Sequence, residues 1–273
     1  MSADATSHRI ERVRHPLRVR HLTVKGTQRL TPHMIRITLS GPELEGFHSA
    51  ANDDHVKLFF PRETDGVLIV PTVTEDGRVA FAEGERPIAR DYTPRSYDAE
   101  KAELVIDFAV HEAGPATSWA LQAAPGQVIG VAGPRGSFVV SNDFDWYLLA
   151  GDETALPAIS RRLEELPEQS SVIVLIEVQG QEDEQPLTAK AHVACHWLHR
   201  GNAVAGETTL LDAAAREISL PEGEGYIWVA CESDTAKRLR SIFIEQHRHP
   251  KQWIKASGYW QRGSSNIHTT HED

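Results

Sequence analysis

The chain is poor in cysteine, which excludes the iron–sulfur and zinc-ribbon classes of metalloprotein. Only Cys195 and Cys231 occur among 273 residues, and they do not form a Cys-x-x-Cys pair. Such metal sites need several cysteines or histidines at short, regular spacings. The 14 histidines are scattered, and no His-x-x-x-His or His-Glu-x-x-His pair falls on a predicted helix. We therefore expect no metal site.

Long apolar runs and an excess of basic charge are also missing. The longest apolar runs, 146–150 and 172–176, are strand length and too short for a membrane span. The first seven residues are polar and lack the apolar core of a signal peptide. Acidic residues outnumber basic ones by 39 to 28, for a formal net charge of −11. These features predict a cytoplasmic monomer without membrane insertion or a nucleic-acid partner.

The first half of the chain has the rhythm of an antiparallel barrel. Residues 1–16 are expected to form a flexible lead-in. Across 17–142, short alternating segments separated by glycine and proline predict a Greek-key β-barrel with one helix near 116–123. The hydrophilic span 62–86 predicts a long hairpin or loop. The predicted strands are 17–25, 34–39, 56–60, 90–97, 103–110, 128–131 and 137–140.

The second half, 143–263, has the pattern of a parallel-sheet α/β domain. Apolar runs at 146–150, 172–178, 192–198, 226–231 and 254–257 predict strands that alternate with helices. Leu156, Ile159 and Leu163 share one face of the first helix. Ser233 or Asp234 is expected to cap a later helix. Residues 264–273 read as a polar tail.

The string Arg90-Asp-Tyr-Thr-Pro-Arg95 is the most informative local signal. Its aromatic ring can pack on an isoalloxazine, its hydroxyl can bond the ring edge, and its guanidinium groups can bind phosphate. The run from Gly114 to Ser118 predicts a tight turn that opens a helix, where free N–H groups can bind a pyrophosphate. Taken singly, an edge strand and an ordinary turn are the alternatives. Their order and spacing favour a flavin-binding barrel.

The loop after the first strand of the second domain lacks the Gly-x-Gly-x-x-Gly pattern of dinucleotide-binding folds. Asp152 and Glu153 would repel a phosphate but favour a helix N-terminus, so these residues alone favour a capped helix. Ligands of open α/β sheets bind outside the carboxyl ends of the strands. The segments 231–233 and 255–262 should reach that same edge.

A family resemblance rests on several motifs in order between about 17 and 263. The chain resembles the siderophore-interacting proteins, which are flavin-dependent ferric-siderophore reductases distantly similar to ferredoxin–NADP reductases. Cys231 departs from the small residue expected there. The motifs are Arg90-x-Tyr-Thr-x-Arg95, Asp107-Phe108, His111, Gly114–Trp119, Gly133-Pro-Arg-Gly136, Trp146–Ile159, Trp197–Arg200 and Lys255–Trp260.

The resemblance implies a set of residues that bind FAD and a nicotinamide nucleotide. The residues implied to hold FAD are Arg90, Tyr92, Thr93 and Arg95. Those implied to line its ribityl and adenosine side are Asp107, Phe108, Val110 and His111, and its pyrophosphate would lie on Gly114, Pro115, Ala116, Thr117 and Ser118. Asp152, Glu153, Thr154 and Ala155 would face the nicotinamide and flavin rings. Trp260 would either close over the isoalloxazine or lie in the core.

The implied chemistry is hydride transfer from NAD(P)H to the flavin and single-electron transfer to siderophore-bound ferric iron, without a catalytic acid–base pair. The alternatives are a general NAD(P)H:flavin oxidoreductase that serves a protein acceptor, and a siderophore- or flavin-binding protein without turnover.

Two binding questions concern single residues: which residues attract the ferric chelate, and which nicotinamide nucleotide is used. Lys57, Arg135 and Lys255 either converge into a positive well for an anionic ferric chelate or are solvated surface residues. Glu177 ends the second strand of the α/β domain, where an acid selects NADH. We favour NADPH because basic residues are available for a 2′-phosphate, namely Arg161, Arg162, Arg200, Lys237 and Arg238.

Overall fold

A computed structural model describes residues 8–74, 78–82, 87–111, 114–263 and 269–271. Its first half is built of antiparallel strands and one helix, α1 (Pro115–Gln122). The strands are β1 (Ile10–Arg14), β2 (Val19–Thr31), β3 (Met34–Ser40), β4 (Val56–Phe60), β5 (Thr72–Val73), β6 (Val79–Ala80), β7 (Ile88–Tyr92), β8 (Pro94–Asp98), β9 (Glu103–Ala109), β10 (Val128–Ala132) and β11 (Gly136–Val140).

Seven of these strands form one curved antiparallel sheet in the order β7-β4-β10-β2-β3-β9-β8. Its two edge strands, β7 and β8, are consecutive in the chain and separated only by Thr93, so the sheet curls until its edges meet. The single strand predicted over 90–97 is therefore two strands. Alternating side chains such as Leu22, Ile37 and Leu58 point inward and are fully buried.

The lead-in expected over 1–16 is wrong for residues 10–14. Strand β1 pairs antiparallel with β11, from Ile10 opposite Val140 to Arg14 opposite Gly136. His8 continues this attachment, because its ring nitrogens contact carboxylate oxygens of Asp143 at 2.9 Å and Glu224 at 3.0 Å. Ile10 and Val13 are three residues apart and so do not show the alternation that marks a strand, which left no local signal for β1. Residues 1–7 lie outside the described residues.

The second half is a six-stranded sheet with helices on both faces. The strands are β12 (Trp146–Asp152), β13 (Ser171–Val178), β14 (His192–His199), β15 (Gly225–Glu232), β16 (Ile254–Trp260) and β17 (Thr269–His271). The α-helices are α2 (Leu156–Glu165), α3 (Leu210–Glu217) and α4 (Ser233–Ser241), which continues into a π-helical turn over Ile242–Gln246. Single 3₁₀ turns lie at Pro42–Leu44, Gln181–Asp183 and Lys251–Trp253.

The strand order is β14-β13-β12-β15-β16-β17, and all neighbours are parallel except the last pair. Part of the expected polar tail is therefore a strand, since 269–271 pairs with 256–258. Helix α4 is capped by Glu232, whose carboxylate accepts from the backbone N–H groups of Asp234 and Thr235, and not by Ser233 or Asp234 as predicted. Among the described residues, no helix combines the length and apolar character that crossing a bilayer requires.

Helix α2 joins the two halves of the molecule. Its apolar side, with Ile159 and Leu163, packs on β12 in a core that also includes Met34 of the barrel. Its polar side holds the barrel directly, because Arg161 donates to Ser49 Oγ at 2.8 Å and to the Ser49 carbonyl at 2.9 Å. Arg161 also donates to the Pro94 carbonyl at 3.2 Å, so the helix that follows β12 is attached to barrel strand β8.

Candidate functional site

The barrel contributes β7 to the site, and its side chains retain free hydrogen-bonding capacity. Arg90 is half-buried and donates through Nη1 to the carbonyl of Ala89 at 2.7 Å, which leaves most of its guanidinium donors for a ligand. Tyr92 packs its ring on Phe108, with centroids 4.4 Å apart. Burial raises the pKa of Tyr92, so its hydroxyl stays protonated and can donate a hydrogen bond.

Thr93 and Arg95 face the second domain. Thr93 is buried, and its side chain is hydrogen-bonded to Tyr259 of β16. Arg95 forms a two-point contact with Glu164 of α2, at 2.5 and 3.0 Å, and its Nε lies 4.0 Å from Asp107. Both residues therefore hold the domains together in this structure.

The four residues expected to line the ribityl and adenosine side of FAD have different surroundings in the structure. Asp107 accepts two hydrogen bonds from Arg36, at 2.7 and 2.8 Å, so its carboxylate is already paired. The Phe108 side chain lies in the barrel core at 1 % exposure, which leaves the Phe108 backbone as the part that could contact a cofactor. Val110 packs on the same core, whereas His111 is exposed and faces Trp260.

The turn at Gly114 opens α1 as predicted. Gly114 has a φ of 154°, a conformation that favours glycine, and a Cβ added there would meet nothing within 4 Å. Ser118 donates its N–H to the Gly114 carbonyl at 2.9 Å. The N–H groups of Ala116 and Thr117 precede the first intrahelical bond, and Pro115 has none to offer. The turn is an open cradle with two backbone donors, which fits an anionic group.

Four polar side chains meet at the carboxyl edge of the parallel sheet. Glu177 of β13 lies opposite Asp152 of β12, and Glu232 of β15 lies opposite Trp260 of β16. Asp152 is buried and receives hydrogen bonds through both oxygens. Oδ1 accepts from the N–H and hydroxyl of Thr154 at 3.0 and 2.5 Å, and Oδ2 accepts from Trp260 Nε1 at 2.8 Å and the Glu232 N–H at 3.2 Å.

The carboxylates at this edge are paired within the protein. Glu153 forms a buried two-point ion pair with Arg200, at 2.5 and 2.9 Å. Glu177 accepts from Thr208 Oγ1 at 2.5 Å, and burial raises its pKa. Burial, followed by the charge of Glu153, raises the pKa of Asp152 to about 6. Ala155 is fully buried at the start of α2. Thr154 is half-buried, so this loop offers a ligand little free negative charge.

Trp260 lies where the two domains meet. Its ring centroid is 6.1 Å from that of His111, on the barrel side. On the other side is Gly206, where an added Cβ would come within 2.9 Å of the indole. Trp260 is half-buried, so the interpretation of a fully buried core tryptophan does not hold.

The three residues predicted to attract the substrate do not form a well of free positive charge. Lys57 Nζ contacts Asp91 at 2.6 Å, and Lys255 Nζ contacts Asp53 at 2.6 Å. Lys255 also lies over the Phe138 ring and is only 14 % exposed. Arg135 is the exposed member of the set. The sequence did not reveal these two ion pairs, because the acidic partners are distant in the sequence or on a neighbouring strand.

The basic residues considered for a 2′-phosphate are spread over the second domain. Arg162 is buried over the Tyr147 ring, and Arg161 binds the barrel. Lys237 and Arg238 lie on α4, paired with Asp234 and Asp212. Glu177, the acid considered for NADH, is buried at 4 % exposure and therefore does not present its carboxylate to a ribose.

Sequence reasoning missed three residues that organise the site, because each acts through a partner far along the chain. They are Arg36, Asp53 and Glu164. The segments that contain Glu232 and Tyr259 were expected at this edge, but their contacts with the Asp234 N–H and with Thr93 were not. The part of the chain that the structure describes contains no group of three or more His, Cys, Asp or Glu side chains placed to hold a metal ion.

The barrel followed by a parallel-sheet domain has the fold of the ferredoxin–NADP reductases. A solved ferredoxin–NADP⁺ reductase from Neisseria gonorrhoeae shares it, with a TM-score of 0.55 at 11 % identity over 89 % of this chain and 99 % of that one. The chain belongs to the siderophore-interacting protein family. The family's siderophore-interacting FAD-binding domain matches residues 23–138, and its siderophore-interacting protein domain matches 144–263.

Relatives whose names state an activity match nearly the whole chain. An NADPH-dependent ferric-chelate reductase of Escherichia coli (strain K12) is 39 % identical over 92 % of this chain and 96 % of its own. The ferric vibriobactin reductase ViuB of Vibrio cholerae is 35 % identical over 89 % of each chain. A siderophore utilization protein from T. fusca has a TM-score of 0.90 at 39 % identity, over 95 % of this chain and 98 % of that one. The resemblance drawn from the sequence is confirmed, as is the predicted pair of domains.

Proposed function

We propose that this protein is an NADPH-dependent, FAD-containing reductase of ferric siderophores or other ferric chelates. The observation that carries the proposal is the open turn at Gly114. Its backbone N–H groups, and most of the guanidinium donors of Arg90 on β7, can bind an anionic group. Relatives whose names state ferric-chelate and ferric-vibriobactin reduction support the choice of substrate.

The residues proposed to hold FAD follow from their free donors. Arg90 would bind phosphate, Tyr92 would pack on the ring system, and the Gly114–Ser118 turn would receive the pyrophosphate. When bound, FAD accepts a hydride from the nicotinamide and releases electrons singly to ferric iron. Thr93 and Arg95 would act on the cofactor's surroundings through their contacts with Tyr259 and Glu164.

The protein's own contribution is placement and exclusion of water. Arg161 and Arg95 hold α2 against the barrel, which keeps the carboxyl edge of the sheet next to β7. Trp260 and His111 would close that cleft from its two sides. Reduction loosens a hard-oxygen chelate because such ligands prefer the higher charge of ferric iron.

The pyridine nucleotide is proposed to be NADPH. The carboxylate of Glu177 is buried and bonded to Thr208, so it does not offer the contact that would select NADH. Lys237 and Arg238, in the middle of α4, are the basic groups proposed for the 2′-phosphate. A kcat/KM at least tenfold higher with NADH than with NADPH would contradict this choice.

The ferric chelate is proposed to approach Arg135, Lys57 and Lys255. Because Asp91 and Asp53 neutralise the two lysines, we expect Arg135 to provide most of the long-range attraction. Replacing all three by alanine should raise KM for an anionic ferric chelate severalfold at low salt, less at high salt, with flavin reduction by NADPH intact. A normal KM at low salt would refute the assignment.

A cytoplasmic location and a monomeric state remain proposals. Both cysteines, Cys195 and Cys231, are free thiols, which is typical of proteins from reducing compartments. Fractionation and sedimentation measurements would test the two proposals separately.

One anaerobic experiment separates this function from its alternatives. Protein purified with FAD, identified after release by chromatography, is mixed with NADPH and then with a ferric siderophore while the flavin absorbance is followed. The proposal expects bleaching by NADPH and recovery on adding the chelate, with Fe(II) trapped by a chromogenic chelator. Recovery only with a protein acceptor would favour a general flavin reductase, and no bleaching would favour a binding protein. Release of FMN alone would refute the cofactor assignment.

A further inference from the structure

We propose that Asp152 is a positioning residue that fixes the Trp260 indole at the mouth of the cleft, and that it does not contact the cofactor directly. The inference rests on the proposed function, since the cleft is taken to hold FAD. It replaces the expectation that Asp152 faces the nicotinamide and flavin rings itself.

The first argument is that Asp152 has no acceptor capacity to spare for a ligand. Its two oxygens receive four hydrogen bonds from three segments of the chain, its own loop, the end of β15 and the end of β16. The carboxylate is buried at 6 % exposure. A group enclosed in this way acts through the donors that it holds, and Trp260 Nε1 is the side-chain donor among them from another strand.

The second argument is the placement of Trp260. Strand β16 ends at Trp260, directly opposite Glu232, so the indole projects at the carboxyl edge where ligands of such sheets bind. The ring centroid of its half-buried indole is 6.1 Å from that of His111 of the barrel. Gly206 has a φ of 77°, and a side chain there would come within 2.9 Å of the outer edge of the indole. The ring is therefore close to neighbours from both halves of the chain, and rotation about its side-chain bonds is the freedom that a hydrogen bond can remove.

The third argument is chemical. The indole N–H is the only hydrogen-bond donor of tryptophan, and it has no acceptor. A hydrogen bond to a charged, buried acceptor is stronger than one between neutral groups, so Asp152 is the contact best able to stop the ring from rotating. The other three hydrogen bonds to Asp152 hold its carboxylate in place. The sheet edge therefore determines the orientation of the indole.

The comparison is a second indole–carboxylate pair, which links β15 to the barrel half of the chain. Trp228 Nε1 donates to Asp53 Oδ2 at 3.1 Å, and this pair lies away from the carboxyl edge beside Lys255, which also contacts Asp53 Oδ2. Asp152→Asn and Asp53→Asn thus alter one indole contact each, and Asp53→Asn also weakens the contact with Lys255. The six indole N–H signals of a ¹⁵N-labelled sample can be assigned for these two residues by Trp260→Phe and Trp228→Phe.

The first readout is NMR of the apoprotein, which requires neither FAD nor turnover. We expect Asp152→Asn to move the Trp260 indole signal upfield and leave Trp228 in place, and Asp53→Asn to do the reverse. An unmoved Trp260 signal in Asp152→Asn would overturn the proposal. Global unfolding is recognised by movement of all six signals, in which case Asp152→Glu, which keeps the charge, is used in the same comparison.

The second readout is the fluorescence of bound FAD, which a neighbouring indole quenches. We expect Trp260→Phe to increase it, Asp152→Asn to increase it comparably, and the double variant to add nothing further. Additive effects of the two substitutions would overturn the proposal. In turnover, both variants should lower kcat/KM for NADPH by roughly tenfold, the loss expected for one charge-assisted hydrogen bond.

These outcomes are distinguishable from failure of the proposed function. If FAD binds and the fluorescence effects are non-additive but no ferric chelate is reduced, the positioning role stands and the reductase assignment fails. If the protein does not bind FAD, the proposed function fails, whereas the NMR comparison of the apoprotein still decides whether Asp152 fixes the indole.

Discussion

The barrel strand β7 and the carboxyl edge of the parallel sheet, between which the cofactors are proposed to bind, differ in how their polar side chains are paired. On β7, Arg90 uses one guanidinium donor in a hydrogen bond to the carbonyl of the adjacent Ala89, and the Tyr92 hydroxyl is protonated. At the sheet edge, Glu153, Glu177 and Asp152 are all buried and hydrogen-bonded within the protein. The first surface is available to a ligand, whereas the second is a scaffold that sets the position of other groups.

The largest effect expected from testing this contrast is at the buried pair of Arg200 and Glu153. Arg200→Met leaves the Glu153 carboxylate buried without its partner, which should lower the free energy of unfolding by about 3–5 kcal/mol. Urea denaturation followed by circular dichroism measures this. The control is Arg62→Met, whose partner Asp65 is exposed and whose loss should change the free energy of unfolding far less. Similar losses in both variants would contradict the role given to burial.

The pH dependence of stability tests Asp152 at the same edge. Its pKa of about 6 in the folded protein lies above the roughly 3.9 of an unfolded aspartate, so between these values the folded state binds more protons. The free energy of unfolding, taken relative to Asp152→Asn, should therefore fall as pH rises from about 4 to about 6, by up to about 3 kcal/mol. Denaturation series at several pH values measure the difference. A difference that grows with pH would indicate a lowered pKa instead.

A substitution on β7 should change the affinity for FAD and leave the free energy of unfolding unchanged. Arg90→Ala removes a charge-assisted contact with phosphate and should weaken FAD binding by about 1.5–3 kcal/mol, tenfold or more in Kd. Titration of apoprotein with FAD, followed by fluorescence, gives the Kd. Arg29→Ala is the control, because Arg29 is exposed and donates to the Pro32 carbonyl. Unchanged flavin affinity in Arg90→Ala would assign Arg90 to a surface role.

The smallest effect is expected at the exposed pair of Lys57 and Asp91. Lys57 is 42 % exposed, so Lys57→Ala should lower the free energy of unfolding by only about 0.2–1 kcal/mol, and less at high salt. Lys25→Ala, which breaks another exposed pair with Glu103, is the matched control. Denaturation at two salt concentrations measures both. A loss near that of Arg200→Met would remove the distinction between the two ion pairs.

Much of the fold follows from local patterns in the sequence. The apolar runs that predicted β12, β13 and β15 are buried strands, and Leu156, Ile159 and Leu163 share the buried face of α2. These signals succeed because burial on both faces of a parallel sheet leaves a continuous apolar run. Strand β1 was missed because its five residues are half-exposed and acquire a partner only at β11.

The site was less predictable than the fold, since charge pairing depends on residues far apart in the chain. Lys255 read as a free cation until the structure placed it at 2.6 Å from Asp53. Phe108 lies next to Asp107 in the sequence, yet its ring packs in the core beside Trp119. The Gly114 turn was predictable because a positive φ and an open helix start depend on neighbouring residues alone.

The pairing of β1 with β11 has a consequence for the order in which the nascent chain acquires structure. Residues 10–14 are synthesised before their hydrogen-bonding partner, which begins at Gly136. During synthesis of the intervening barrel strands, this segment is an unpaired strand edge of the kind that associates with other chains. Glu224, one of the two carboxylates that His8 contacts, is translated only after most of the second domain. Strand β1 and His8 therefore acquire their final contacts late in synthesis.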